Sequence, residues 1–490
     1  MELNDVKEGS AVQESPMVDV LVVGAGPTGL TLGCDLLRRG VSVRVVERTD
    51  GLFPGSRGKG MQPRTLEVLD DLGVVARMFA AGGPAPVNMV WAGGERQGEY
   101  RMFDEVEPTE DAPYAIPWIV PQYRTTRILH DRFTALGGRV DFGAALTGLD
   151  QGADTVTCTL ATGERITAAY AVAADGGRST VRALLGVALR GESVDPAPMV
   201  VADVRVPSLD RRNWHVFREE DGRYAALCPL PHTDDFQLAA AYEPGTVPDT
   251  SPEGVRALIA ERTHLDADDV TDVLWASDFR VRAALADRFR AGRVFLAGDA
   301  AHVHSPAGGQ GLNTSIQDAY NLGWKLGQVL RHGAPDALLD TYEQERRPLA
   351  AEMLGLSTRI HRGEQRRGAA TRQLGLHYRG GPLASGAAGA LVAGDRAPDG
   401  LLADGTTLFD ALRGPHFTLL RMATDAPLPE ELPAAVRVVD HPAPYAPYGT
   451  GLFLVRPDGY VGWAGEHAEG LLAWLARVGV TDRPTGLQAA

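Results

Sequence analysis

Between Arg293 and Leu330 the chain reads RVFLAGDAAHVHSPAGGQGLNTSIQDAYNLGWKLGQVL, and the residue types there suit an anionic, planar ligand. Val294 to Ala297 is a short apolar run fit for a buried strand. Gly298-Asp299 ends it, and a Pro/Gly-rich turn follows from Ser305 to Gly311. Leu312, Ile316, Ala319, Gly323, Leu326 and Leu330 then recur at a helical period. A strand, a glycine-rich turn and a helix N-terminus present free backbone N–H groups and the positive end of a dipole to whatever binds there. Glycine lets a flat molecule approach the backbone without Cβ clashes.

A second constellation lies near the start of the chain. Val18 to Val23 reads as a β-branched strand, and Gly24-Ala25-Gly26-Pro27-Thr28-Gly29 follows at once. Leu30 to Arg39 reads as a helix ended by Gly40, and Val41 to Val46 as a second strand closing on Glu47-Arg48. This is a βαβ unit with a glycine fingerprint and an acidic residue about 20 positions on, the pattern of dinucleotide binding. The first glycine makes the turn, the second admits a pyrophosphate, and the third lets helix and strand pack. Glu47 suits hydrogen bonding to an adenosine ribose. By itself this motif does not separate FAD from NAD. A third corner comes at Tyr170 to Ala174, a buried strand delivering Asp175-Gly176 and then a helix from about Ser179. Alone, Asp175 also reads as a plain strand-ending aspartate beside an N-cap serine.

GDAAHVHSPAGGQGLN, placed after GAGPTG and ADG, resembles the second flavin motif of the single-component FAD-dependent aromatic hydroxylases, the para-hydroxybenzoate hydroxylase family. The likeness is greatest to the branch that acts on phenols, aromatic polyketides and rifamycin-like compounds. The resemblance implies FAD as cofactor. Asp299 would hold the ribityl chain, and Pro306 would lie near the reactive edge of the ring. The backbone of Gly311, Leu312 and Asn313 would meet its pyrimidine end. Ser56-Arg57-Gly58 would lie beside the flavin, with Arg57 in contact; the alternative is a solvated arginine in a loop. Gln122 would reach the FAD, Leu146 would bracket the adenine, and Asp175 would serve the pyrophosphate and NAD(P)H. Gly24, Gly26, Thr28, Gly29, Glu47 and Arg48 complete the expected cofactor set. Thr125-Thr126 departs from the Thr-Glu of many relatives.

The implied reaction is a monooxygenation. NAD(P)H, with NADPH favoured, reduces the flavin, and O₂ then forms a C4a-hydroperoxide that hydroxylates a phenolic or polycyclic aromatic substrate. The cofactor carries this chemistry, and the protein supplies orientation, charge and dryness. No side chain is assigned as catalytic; Arg57 and Pro306 stand beside the ring, His302 and His304 flank the turn, and His302, part of the GDAAH run, reads as structural. A single glycine fingerprint fits transient NAD(P)H docking. Baeyer–Villiger or epoxidising oxygenation by the same flavin remains open, as does a non-catalytic flavoprotein that binds a pathway intermediate. Halogenation is disfavoured because Trp118 stands alone in IPWIVP.

These corners need a scaffold. The expected fold class is α/β: a Rossmann-like FAD-binding domain of the para-hydroxybenzoate hydroxylase type, an interleaved antiparallel-sheet substrate domain, and a thioredoxin-like C-terminal domain. The FAD domain takes 18–85, 115–195 and 280–375, including a helical extension; the substrate domain takes 86–114 and 196–279. Residues 1–17 read as a disordered leader, 376–394 as a Gly/Ala/Pro-rich linker, and 395–490 as the thioredoxin-like unit. VVADVRV, NWHVF, YAALCPL and FQLAAAY read as strands with turns at Asp221-Gly222 and Asp234-Asp235. Trp214, Phe217, Tyr224 and Phe236 are candidates to line a pocket for a bulky aromatic, or else to form core.

The formal net charge of -15 over 490 residues argues against a nucleic-acid partner. Cys34, Cys158 and Cys228 are far apart and form no C-x-x-C, which fits a reducing compartment. The C-terminal unit has no cysteine, so thiol redox chemistry is excluded there. No apolar run approaches the ~20 residues of a membrane helix. A cytoplasmic monomer or homodimer without a metal site is expected.

Overall fold

A parallel sheet sets the glycine corners side by side. In the computed structural model, which describes residues 17–219 and 223–481, five parallel strands lie in the order Val294–Leu296, Arg165–Ala173, Val18–Val23, Val43–Val46, Val140–Asp141. The expected leader up to residue 16 and the expected Asp221-Gly222 turn fall outside the described residues. Val23 pairs with Val46 and with Ala173, and Ala173 pairs with Leu296, so four strands end in step. Val20, Leu21 and Val22 have no exposed surface. Their continuous apolar run is what a sheet covered on both faces requires. An antiparallel meander, Leu146–Gln151 and Val156–Leu160, returns the chain to Arg165–Ala173.

The first helix runs Pro27–Leu37, so Thr28 and Gly29 belong to its first turn rather than to the turn before it. It packs on the long helix Gly311–His332. Glycines permit the close approach: a Cβ on Gly323 would lie 2.2 Å from Asp35 Oδ2. The second strand begins at Val43, two residues later than the sequence predicts.

A second sheet has the strand order His302–Val303, Asp272–Ala286, Leu189–Arg205, Asp235–Ala241, Tyr224–Pro229, Asn213–Arg218, Val87–Ala92, Glu95–Tyr100. All neighbours are antiparallel except Asn213–Arg218 with Val87–Ala92. One face carries Val200, Ala202, Val204, Leu227 and Leu238 and is covered by Val255, Leu258 and Ile259 of the helix Pro252–Arg262. The His302–Val303 strand pairs with Leu285 and Ala284. It ties the Gly298 corner directly to this sheet.

The C-terminal sheet is mixed, in the order Leu391–Val392, Ser385–Ala388, Val461–Gly465, Gly451–Val455, Phe417–Met422, Val436–His441. Phe417–Met422 runs parallel to Val436–His441 and antiparallel to Gly451–Val455, a thioredoxin-like arrangement. The segment 376–394, expected as a linker, is corrected here: it supplies two strands of this sheet. Its small residues serve close backbone contact, not flexibility. A Cβ on Gly386 would lie 2.1 Å from Ala464 O, and one on Gly389 2.2 Å from Tyr448 O.

A buried polar network joins this unit to the long helices. Glu345 accepts hydrogen bonds from Lys325 and Arg456, and Asp458 accepts from Arg456, Asn321 and Trp324. Among the described residues no helix is long and apolar enough to cross a membrane.

Candidate active site

The site begins where the parallel strands end. Gly24 has φ +111°, and a Cβ there would lie 2.3 Å from Ala174 O. A Cβ on Gly29 would lie 2.0 Å from Gly24 O, so this glycine is required by helix–strand packing. Gly26 differs: its Cβ would meet nothing within 4 Å. Open space lies in front of it, at the head of a helix that no side chain caps. Uncapped first-turn N–H groups facing a cradle clear of side chains suit a pyrophosphate.

The Ala25 N–H donates to Glu47 Oε2 at 2.9 Å, and the Thr49 N–H and hydroxyl donate to Oε1 at 3.1 and 3.0 Å. Glu47 is thereby fixed beside the turn, with exposed Arg48 next to it. Leu146 is buried at the start of its strand, in the core beneath.

Asp175 closes the third corner. Its Oδ2 accepts the Thr180 and Val181 N–H groups at 2.7 and 3.2 Å, while Oδ1 is buried without a partner. Arg182 then links two corners that sequence spacing leaves unrelated. It donates to Gly177 O and to Ala300 O, each at 2.8 Å.

Asp299 has an exposed side chain between buried Gly298 and Ala300. An accessible residue at the centre of a buried run marks the floor of a cleft. The enclosing protein raises its carboxyl above the ordinary range, with His302 and Arg57 pulling the other way. Thr28 reaches the same place: a Cβ on Gly298 would lie 2.7 Å from Thr28 Oγ1.

Three distant segments meet at the far end of the cleft. The Gly58 N–H donates to Gln122 Oε1 at 2.7 Å, and a Cβ on Gly58 would touch Leu312. Asn313 Oδ1 accepts the Gln62 N–H at 2.7 Å, and its Nδ2 donates to Gly60 O and Gly309 O at 2.9 and 2.7 Å. The Asn313 side chain therefore ties loops together and leaves only its backbone for a ligand. Gly311, Leu312 and Asn313 form the first turn of a 22-residue helix without a side-chain cap. Pro306 is exposed, in a short 3₁₀ turn before it. Arg57 is exposed too, its guanidinium 4.9 Å from the Phe53 ring centroid and 5.8 Å from that of Trp275.

Sequence reading missed what supports this turn. Asp318 is buried in the long helix. Its Oδ2 accepts the Gly298 N–H at 3.1 Å and lies 2.5 Å from His302 Nε2. Its Oδ1 accepts from Arg346 Nε at 2.7 Å. His304 Nε2 lies 3.0 Å from His302 Nδ1. Burial works against ionisation, but His302 and Arg346 hold the Asp318 carboxyl below its usual range. The helical period gave no signal for it: Asp318 lies off the Leu312, Ile316, Ala319 and Gly323 stripe, and only the burial of the helix on its other sides forces the charge to be paired.

Two of the four aromatic candidates require correction. Phe217 and Phe236 are buried in the core between the second sheet and the Pro252–Arg262 helix. Strand alternation turns them away from the cleft. Trp214 and Tyr224 have the opposite parity. Lys59 Nζ stands 4.3 Å from the Trp214 ring centroid, and the Tyr224 hydroxyl lies 3.9 Å from Met199 Sδ. The loop 56–59 bridges this face to the Gly58–Gln122–Leu312 cluster, since Gln237 Nε2 donates to Ser56 O and Lys59 donates to Gln237.

The glycine cradle, the accessible Asp299 floor and two uncapped helix starts fit an extended dinucleotide ending in a planar, electron-accepting ring. The comparisons agree. Residues 17–357 match the FAD binding domain family, and residues 391–480 match the aromatic-ring hydroxylase C-terminal family. A flavin-dependent monooxygenase of Mycobacteroides abscessus is 44% identical over 476 residues, covering 94% of this chain and 99% of the relative. The 12-dehydrotetracycline 5-monooxygenase/anhydrotetracycline 6-monooxygenase of Streptomyces rimosus is 36% identical over 494 residues, covering 91% and 95%. A solved aklavinone-11 hydroxylase, in ternary complex with FAD and aklavinone, superposes with a TM-score of 0.78 at 28% identity, covering 94% and 98%. The chain belongs to the FAD-dependent monooxygenases that pair this FAD-binding domain with an aromatic-ring hydroxylase C-terminal domain.

Proposed function

We propose that the protein hydroxylates a bulky phenolic, multi-ring substrate of the aromatic polyketide type, with O₂ and NAD(P)H, NADPH favoured. One observation carries this reading. The uncapped Gly311 helix start is joined through loop 56–59, whose Lys59 lies over the Trp214 ring, to the cleft-side face of the second sheet. A redox ring and an aromatic ring would thus share one enclosure. Relatives that act on tetracycline intermediates and aklavinone support a multi-ring substrate.

In this reading Gly24, Gly26, Thr28 and Gly29 receive the pyrophosphate, with Asp175 beside it. Glu47 binds the adenosine ribose, Arg48 lies at its outer edge, and the Leu146 backbone flanks the adenine. Asp299 holds the ribityl chain. The N–H groups of Gly311, Leu312 and Asn313 stabilise negative charge on the ring, as a helix N-terminus does for anions. Gln122 holds the Gly58 loop against it, and Arg57 and Pro306 bound its accessible edge. Bound FAD, reduced by NAD(P)H, supplies the electrons that activate O₂. The sheet face orients the substrate ring and excludes water, which strengthens every charge interaction inside.

The test is NADPH oxidation in the presence of hydroxylated anthraquinones and naphthacenes. Stimulated NADPH and O₂ consumption with a product one oxygen atom heavier, new hydroxyl on carbon, supports the reading. An ester or epoxide product would reassign the reaction to Baeyer–Villiger or epoxidising oxygenation. Binding with no NADPH turnover would make the protein a carrier.

A further inference from the structure

The cleft-side face of the second sheet carries a row of polar side chains whose hydrogen-bonding capacity the fold uses only in part. Asp203 pairs in register with Trp275 on one side and Gln237 on the other, and Gln237 pairs with Cys228. Trp214 and Asn88 pair two strands further on. Asp203 is 2% exposed and, among the described residues, has no ion-pair partner; only the Ser56 hydroxyl and N–H approach its carboxylate, short of full hydrogen-bond geometry, so most of its lone pairs are unspent. Trp214 Nε1 and Asn88 Oδ1 are buried without partners. Each orphaned neutral group costs about 1–3 kcal/mol, and an unpaired buried carboxylate costs more. Such groups are retained where a ligand satisfies them.

Lys59 stands over this row. Its ammonium lies on the Trp214 ring face and donates one hydrogen bond, to Gln237 Oε1. Gln237 spends its other end on Ser56 O, so it fixes the ammonium while leaving that group with two further N–H donors. A cation with spare donors and a carboxylate with spare lone pairs flank the same glutamine.

We infer that Lys59 and Asp203 form a substrate-ionising pair, a deepening that rests on the hydroxylase reading above. A phenolic or enolic hydroxyl bound on this face transfers its proton to Asp203, and Lys59 holds the resulting phenolate. The substrate O–H bond breaks and its electron pair stays on the substrate oxygen. An O–H bond forms on an Asp203 carboxylate oxygen. Nothing is oxidised, and the net charge of the site is unchanged. The phenolate pushes electron density into its ring, which electrophilic oxygen transfer needs.

The surroundings permit the step. Burial raises the Asp203 carboxyl to about 6, with Ser56 and Lys59 opposing, so it is ionised and able to accept a proton near neutrality. Cys228, the other titratable group in the row, is pushed up to about 11 by burial and stays a neutral thiol. Asp235 is engaged by Arg205. Arg367 is occupied by Ala307 O.

The experiment uses the full-length FAD-loaded protein and 1,8-dihydroxyanthraquinone, which is neutral in water near pH 7 and whose visible spectrum reports its ionisation. At pH about 7 in weak buffer with an indicator, the parent protein should bind the dye as phenolate and release no proton. Asp203→Asn should bind it as phenolate but release one proton per dye, having lost the internal acceptor. Lys59→Met should bind it neutral, with the bound dye ionising about one pH unit or more higher. Lys59→Arg should restore the phenolate spectrum. Retained FAD absorbance shows that each variant is folded. A neutral dye in the parent protein, or equal proton release from parent and Asp203→Asn, overturns the pair. Bound dye that fails to stimulate NADPH oxidation in the parent protein instead defeats the hydroxylase reading beneath it.

Discussion

Replacing Glu345 with glutamine should destabilise the protein by about 3–5 kcal/mol, the range for breaking a buried ion pair from one side. The structure sets that magnitude. Glu345 Oε2 accepts from Lys325 at 2.7 Å, Asn321 at 2.8 Å and Arg456 at 2.9 Å, and Oε1 accepts from Arg456 at 2.6 Å. The residue is 3% exposed, so water cannot replace the lost charge. Asp458 alone would then face two buried cations. Burial opposes ionisation, but Arg456 and Lys325 hold the Glu345 carboxyl at about 2 against an ordinary 4.5. A depressed acid stabilises the fold above its unfolded-state value and loses that contribution as pH falls to its folded-state value. At ~1.4 kcal/mol per pH unit, the window is worth on the order of 3 kcal/mol. Urea unfolding followed by tryptophan fluorescence measures the gap, because Trp324 lies in the network. The gap between parent and Glu345→Gln should be full near neutrality and close as pH falls from 4.5 towards 2. An unchanged midpoint at neutral pH, or a gap that persists at the acid end, refutes the reasoning.

Gly26→Ala and Gly29→Ala should behave oppositely. The first Cβ meets no protein atom, so FAD-free stability should stay within about 0.5 kcal/mol while FAD affinity falls tenfold or more by fluorescence titration. The second collides with Gly24 O, and the FAD-free protein itself should lose stability. Asp318→Asn breaks the buried link between Gly298, His302 and Arg346. It should cost about 3–5 kcal/mol in urea unfolding and weaken FAD retention on gel filtration. Phe236→Ala should cost about 3–5 kcal/mol of stability with substrate KM unchanged, whereas Trp214→Leu should raise KM with little loss of stability. A KM effect at Phe236 would return that residue to the pocket.

The cofactor half of the site was legible because its determinants are local. Gly24, Gly29 and Gly298 each answer a backbone constraint within a few residues of a strand end, and a βαβ unit brings them together by rule. The supports were illegible because they are not local. Arg182 reaches Ala300 across 118 residues, and Asn313 reaches Gln62 across 251. The linker reading of 376–394 failed for a related reason. Glycine and alanine that look like slack in one dimension are clearance for Ala464 and Tyr448 in three.

The aromatic candidates failed by parity. Phe217 and Phe236 were chosen by size, but on a strand the facing direction matters more, and it alternates with every residue. Applied to the four strands in hand, that rule separates Trp214 from Phe217 and Gln237 from Phe236, and register then sets Asp203 beside Gln237. The two phenylalanines therefore lie on the helix-covered face, where apolar burial stabilises the sheet. The cleft face retains an amide, a carboxylate and an indole N–H whose hydrogen-bonding capacity the fold leaves open. A purely structural face would have no reason to keep them, since apolar residues of similar volume are often equally stable there or more so. Their presence on the side of the sheet facing the Ser56 loop is the physical ground for placing the substrate's oxygens, and not merely its rings, against Asp203 and Lys59.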